Sequence, residues 1–190
     1  MAKLFGNLHL VLAIGLVAAI AVMLGFGAEV PLDVNSVFRW LHVFFGILWI
    51  GLLYYLNFVQ VPTMPSIPAE QKGAITGHIA PKVFFFFRWA ALLTVVTGLV
   101  IAYVTGYVHE ALTFSGEGAV KLIGVGMWLA LIMAFNVWFI IWPAQKKILG
   151  IVEASAEEKA AAAPRALIAS RTNLLLSLPM LYCMVSANLG

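Results

Sequence analysis

Few side chains in this sequence can do chemistry, and most of those lie inside long apolar runs, where an ionisable group is costly to keep. His42 is the foremost. It falls about five residues into an apolar stretch, roughly 7.5 Å along a helix at 1.5 Å per residue. Arg39 is three residues earlier and shares its helix face, and Phe45, Gly46, Trp49 and Leu53 continue that face. A neutral imidazole in such a place can ligate a metal or a haem iron. Gly46 would let a flat macrocycle or a neighbouring helix approach closely. The expected cofactor-binding set is therefore His42, Arg39, Gly46 and Trp49, with His42 as the ligand of a metal or a haem iron. The same position also suits a histidine that is only hydrogen-bonded to a neighbouring backbone carbonyl.

A second polar set comprises Asn57, Gln60, Arg88, Asn136, Arg171 and Asn173. Arg88, Asn136 and Asn173 would form a substrate pocket for an anionic or quinone-like ligand, with Arg88 as the charge partner. Alternatively the asparagines bond helix to helix, at about 0.6 kcal/mol each. His9, His78 and His109 fall at span ends or in loops, and only His109 shares the His42 side of the membrane. The acidic residues cluster in loops and make no close intramembrane pair, which argues against a carboxylate-lined ion path and makes a transporter or channel the least favoured class. Gly-x-Gly-x-x-Gly, P-loop, Gly-x-Ser-x-Gly and His-Glu-x-x-His motifs are absent. The lone cysteine, Cys183, allows no intrachain disulfide and no Cys-x-x-Cys-His haem attachment, and is expected in packing or against lipid.

Membrane helices must position these residues. The chain has 190 residues, 63% hydrophobic and 10% charged, against about 25% charged in a soluble domain. Too few polar residues remain to cover a water-facing surface. The fold class expected is all-α, a polytopic bundle forming one transmembrane domain over 1–190. A span needs about 20 apolar residues, and five stretches qualify: 9–27, 37–58, 83–106, 119–142 and 167–189. The first is too long for a signal-peptide core, and Phe26-Gly27-Ala28 is a poor cleavage site, so it is expected as a retained helix. The Pro-rich stretch from Val61 to Pro81 is expected as a loop carrying a short helix from about Pro68. Pro143 is expected to end the fourth span, and Lys146 to Pro164 to form a short surface helix ended near Pro164. Phe84 to Phe87 are expected as lipid-facing bulk, and Trp40, Trp89 and Trp142 as interfacial anchors.

Orientation follows from basic residues. With the N-terminus inside, Lys3, Lys72, Lys82, Arg88, Lys146, Lys147, Lys159, Arg165 and Arg171 are on the inner side, nine of the eleven; Arg39 and Lys121 are outside. The expected location is a bacterial inner membrane, N-terminus cytoplasmic and C-terminus outside. The net charge of +3 serves orientation rather than nucleic-acid binding.

Ordered motifs carry a family likeness. Arg39-Trp40-Leu41-His42, Gly46, Trp49-Ile50-Gly51 and Tyr54-Tyr55 resemble the start of the membrane domain of bacterial membrane-bound urate oxidases. Phe87-Arg88-Trp89 with Thr97-Gly98, then Asn136 to Ile140 with Pro143-Ala144-Gln145, are similar to its next segments. Asn173, Ser177-Leu178-Pro179 and Met184-Val185-Ser186 resemble its closing helix. That family's closing pattern pairs two asparagines and ends in Ser-Asn-His; here Leu174 and Ser186-Ala187-Asn188 stand there, so its polar set is incomplete. Leu41-His42, Phe45, Trp49 and Tyr54-Tyr55 also resemble the first helix of small haem-binding membrane protoporphyrinogen oxidases, in which an intramembrane histidine is associated with haem b. These likenesses imply a membrane redox protein that holds haem b through His42. It would pass electrons to a separate cytochrome or quinone; the full-length urate oxidases use a fused cytochrome c, which is not found in this sequence. The alternative is a non-catalytic accessory subunit packed among the subunits of a larger membrane complex.

Overall fold

The backbone follows from the apolar runs and the residues that start and stop them. A computed structural model describes residues 2–27 and 32–187, which fall into two compact units, Met1–Val37 and Phe38–Gly190. No strand occurs among the described residues. Five helices are long and apolar enough to cross a membrane.

The first unit contains α1 (Leu8–Gly25), opened by Asn7, whose side chain accepts the Leu10 N–H at 3.1 Å. None of its residues is buried within the unit, and it is apolar all round. Ala28 of the weak cleavage site lies outside the described residues. Asp33 and Ser36 then cap the next helix reciprocally: the Ser36 N–H donates to Asp33 Oδ1 at 2.7 Å and the Asp33 N–H to Ser36 Oγ at 3.1 Å.

The second unit holds most of α2 (Val34–Ser66), then α3 (Ala69–Thr105), the short α4 (Val108–Thr113), α5 (Gly118–Ile148) and α6 (Ala156–Ser186). Its main core gathers Trp49 and Leu53 of α2, Phe87 and Ala91 of α3, Met133 and Val137 of α5, and Met180 of α6. Small residues allow the close crossings. A β-carbon on Gly126 would stand 2.8 Å from Cys183 Cβ, so α5 meets α6 there and Cys183 is buried in packing. A β-carbon on Gly124 would collide with the Ala111 carbonyl, so α5 and α4 touch backbone to backbone.

Three prolines leave a shared trace. Leu56–Gln60, Ile75–Ile79 and Asn136–Ile141 are π-helical, and Pro62, Pro81 and Pro143 follow each by two residues. A proline ring clashes with the carbonyl four residues back and offers no N–H; a widened turn relieves both without breaking the helix. This corrects the expected boundaries. The stretch from Val61 to Pro81 is largely helical, with an extended break at Ile67 between α2 and α3. The helix of the fourth expected span does not stop at Pro143 but runs to Ile148. The expected surface helix ending near Pro164 is instead the first part of α6. Ser155 and Glu158 form a capping box at its start, and the helix passes through both Pro164 and Pro179. Apolar length marks only the part of each helix that needs lipid, whereas backbone hydrogen bonding carries the helix beyond it. The last expected span residues, Asn188 and Leu189, lie outside the described residues.

The phenylalanine run is also corrected. Phe84 and Phe87 are buried in the core, while Phe85 and Phe86 are exposed. Four consecutive residues point around most of a turn, so only the pair three apart shares the core face.

Candidate functional site

His42 is held by α3. Its Nδ1 lies 2.8 Å from the Thr94 carbonyl oxygen and 3.2 Å from Thr97 Oγ1. A carbonyl can only accept, so Nδ1 carries the ring proton and donates it. Both threonines are buried and both back-bond their own helix, Thr94 Oγ1 to the Ala90 carbonyl at 2.7 Å and Thr97 Oγ1 to the Leu93 carbonyl at 2.7 Å. The second bond commits the Thr97 hydroxyl proton and leaves its lone pair toward the imidazole. Gly98 completes the seat: a β-carbon there would be 2.8 Å from His42 Cε1. The ring therefore has one tautomer, with Nε2 as its remaining lone pair, and Nε2 makes no hydrogen bond among the described residues.

His42 lines a cavity of about 530 Å³ within the second unit, inside the usual range for small-molecule sites, about 300–1,000 Å³. Arg39, Gly46 and Trp49 line it too, so the four residues expected to bind a cofactor are gathered on one wall. Across from them stand Tyr107 after α3, Met127 of α5, and Met180 and Met184 of α6. Phe45 and Leu53, expected on the same face, do not line it; Leu53 is buried in the core. Gly46 is open on this side, its nearest neighbour being Thr94 Cγ2 at 3.9 Å from a built β-carbon. Its smallness therefore adds room to the cavity rather than relieving a helix crossing.

Two polar groups on the wall differ in how they are satisfied. The Tyr54 hydroxyl is 3.1 Å from Ser177 Oγ, tying α2 to α6. Trp49 has no exposed surface, and its indole N–H has no hydrogen-bond partner among the described residues. A buried, unpaired donor costs about 1–3 kcal/mol. At the Arg39 end, burial pushes the Tyr107 phenol up from its ordinary value, and the positive charge of Arg39 pulls the other way. Burial is the larger effect, so the phenol is neutral at physiological pH.

The second polar set is divided. Asn136 Nδ2 donates to Asn173 Oδ1 at 2.9 Å, and Asn173 Nδ2 to the Met133 carbonyl at 2.9 Å, joining α5 to α6. Asn57 Nδ2 donates to Ser170 Oγ at 2.9 Å and to the Leu53 carbonyl at 2.9 Å, joining α2 to α6. Arg171 Nη1 reaches the Asn57 carbonyl at 3.5 Å. Arg88 is elsewhere: its guanidinium lies 3.7 Å from the centre of the Trp142 ring, with Phe85 and Trp138 beside it. Asn136 lines a smaller cavity with Arg165 and Thr172, and Arg88 does not line it. His109 is exposed on α4 and does not line the His42 cavity.

Sequence reasoning missed Thr94, Tyr107 and the methionines as cavity residues. It met Thr97 and Gly98 only as a motif, not as the seat of His42. A small residue one position after a threonine in an apolar helix was the available signal for a ring packed there, but nothing local names the partner.

A family model described as urate oxidase N-terminal matches residues 84–190. It covers most of α3 and all of α4 to α6, including Thr94, Thr97, Gly98 and the methionines; α2 with His42 precedes the matched range. No curated protein matches the chain, and no solved structure does.

Proposed function

The chain belongs to the urate oxidase N-terminal family, and from that premise we propose that it is a membrane redox protein. Its redox-active ligand occupies the His42 cavity, and it exchanges electrons with a separate cytochrome or quinone. The observation that supports this is a histidine fixed in one tautomer by α3, with Nε2 left over, on the wall of a largely apolar cavity. A ligating histidine characteristically donates its other ring N–H to a backbone carbonyl or a carboxylate, which sets its tautomer and direction. On the basic-residue bias the Arg39 end of α2 faces the outside of a bacterial inner membrane.

Haem b is the cofactor that the sequence likeness implies, and the residues at the His42 end of the cavity fit it. His42 Nε2 suits iron, and Arg39 suits a propionate at the rim. Trp49 lines the cavity too, but its indole N–H is wholly buried and presents no surface to a ligand. Haem held there would supply one-electron transfer, and no chemical step is derived through it.

The test is purification in mild detergent after haem-replete expression, followed by a reduced-minus-oxidised spectrum and by reduction of a c-type cytochrome in proteoliposomes. A haem spectrum lost in His42→Ala would support haem b. Cytochrome reduction that requires His42 supports the redox function, whichever ligand fills the cavity. A wild-type chain that transfers no electrons with any donor, while remaining bound to other membrane subunits, would instead favour the accessory role.

A further inference from the structure

Arg88 carries its charge within the apolar length of α3, and no carboxylate among the described residues meets it; the ion pair found there joins Lys147 to Glu158 at 2.7 Å. Its guanidinium carbon lies 3.7 Å from the centre of the Trp142 ring, 5.7 Å from that of Phe85 and 5.9 Å from that of Trp138. Phe85 is one turn nearer the start of α3, and Trp142 is near the end of α5. The side chain therefore reaches toward the end of the bundle where α3 begins and α5 ends. The Trp138 indole N–H donates to the Arg88 carbonyl at 3.0 Å, which holds the two helices in this register. A guanidinium packed on a ring by its face keeps its N–H groups along its edges. Nη1 is enclosed and makes no hydrogen bond, so it is closed to a ligand. Nε and Nη2 are not enclosed, and the side chain is half-buried. Those two nitrogens form one edge of the group, the fork that takes two oxygens of an anion in parallel.

We propose that this face of α3 and α5 is a binding site for an anionic phospholipid. The headgroup phosphate sits on the Nε and Nη2 edge of Arg88, and an acyl chain lies along the aromatic rings beside it. Lys146 adds a second charge at the headgroup end. It is one turn beyond Trp142 on the same helix face, is half-buried, and makes no ion pair among the described residues. On the other side a track of rings leads away from the charge. Phe85 and Trp89 have ring centres 6.4 Å apart, and Trp89 and Trp138 have theirs 5.5 Å apart. Phe85 and Trp89 are both exposed, and Trp89 is one turn further into the apolar length of α3. A charged end continued by an exposed apolar track fits a lipid better than a soluble anion. A zwitterionic lipid brings its own cation toward Arg88 and Lys146, whereas a net-anionic one does not, so the site selects by headgroup charge. Arg88 does not line the His42 cavity, and the lipid site stands whatever ligand that cavity takes.

The experiment equilibrates the full chain in detergent with equal parts of dioleoylphosphatidylglycerol and dioleoylphosphatidylcholine, and measures the lipids retained by native mass spectrometry. Wild type is expected to retain phosphatidylglycerol over phosphatidylcholine by about fivefold for each of the two cations, the worth of one basic side chain at an anionic surface. Lys146→Gln is expected to lower the preference by about fivefold, and Arg88→Gln to lower it at least as far. Arg88→Lys keeps the charge but loses the fork, and is expected to fall between wild type and Arg88→Gln. Lys159, exposed on α6, serves as the control for general surface charge; Lys159→Gln should leave the preference unchanged. Melting temperatures check that the variants fold, and Arg88→Lys and Lys146→Gln decide if Arg88→Gln does not. Equal retention of the two lipids by wild type overturns the site. An equal loss of preference in Lys159→Gln and Arg88→Gln also overturns it, since bulk charge would then be the cause. Displacement of the bound lipid by inorganic phosphate at constant ionic strength would make this a site for a free anion and overturn the lipid assignment.

Discussion

The imidazole of His42 and the α-carbon of Gly98 are in such close register that a β-carbon on Gly98 would stand 2.8 Å from Cε1 and 3.2 Å from Nδ1. The obstruction falls on the same edge of the ring that bonds α3, so Gly98 is part of what orients His42. Gly98→Ala is expected to push the ring off the Thr94 carbonyl and release Nε2 from its direction. Ligand binding at His42 should fall at least as far as in Thr97→Val, which removes only the weaker contact at 3.2 Å. Parallel binding and thermal-melting measurements check this. A Gly98→Ala protein that binds as wild type would show that the seat tolerates a methyl group.

Asn136 and Asn173 bind α5 to α6 in a chain that ends on the Met133 carbonyl. Asn173 is fully buried, and its loss leaves the Asn136 amide donor without its partner. Asn173→Ala is expected to destabilise the bundle by about 1–3 kcal/mol. The coupling of Asn136→Ala with Asn173→Ala in a double-mutant cycle is expected at about 0.6 kcal/mol. Equilibrium unfolding in mixed micelles gives both values. A negligible cost for both single variants, with loss of ligand binding, would move this pair from packing to the binding site.

Glycines of one chain should respond oppositely to one methyl group. At Gly124 the new carbon meets the Ala111 backbone, which has no rotamer to yield, so Gly124→Ala is expected to cost about 1–3 kcal/mol. At Gly15 of α1 nothing lies within 4 Å, and Gly15→Ala should be neutral or slightly stabilising, since alanine restricts the unfolded backbone. Melting temperatures in detergent compare the two directly.

Tyr107 predicts an alkaline limit. Its folded-state pKa is raised by burial, so the fold prefers the protonated phenol. The stabilisation is intact below the unfolded value of about 10 and is lost as pH rises from there through the folded value, because the unfolded chain releases the proton first. Melting temperature should therefore fall more steeply above that pH in wild type than in Tyr107→Phe. Identical slopes would mean that the phenol is as free to ionise in the fold as in the unfolded chain.

Much of this molecule could be read from composition and spacing. Hydrocarbon accepts only backbone that satisfies its own hydrogen bonds, so long apolar runs in a chain with so few charges had to be helices, and five helices are long and apolar enough to cross a membrane. His42, Arg39, Gly46 and Trp49 follow one helical face, and a face is a local property of a 3.6-residue period; they accordingly share one wall of the cavity. What lay beyond local periodicity went unread. The π-turns at Leu56–Gln60 and Asn136–Ile141 let helices continue past prolines that looked like stops, because the relief of a proline clash depends on what surrounding helices hold in place. The separation of Arg88 from Asn136 and Asn173 came from side-chain direction: Arg88 turned to the Trp142 ring, and the asparagines to each other. The tautomer of His42 was decided by a carbonyl 52 residues away, and the isolation of the Trp49 N–H by the absence of any acceptor on helices packed around it. Periodicity along one helix determines which side chains share a face; only the packing of helices against one another decides which of their polar atoms are satisfied, and so which are left for a ligand.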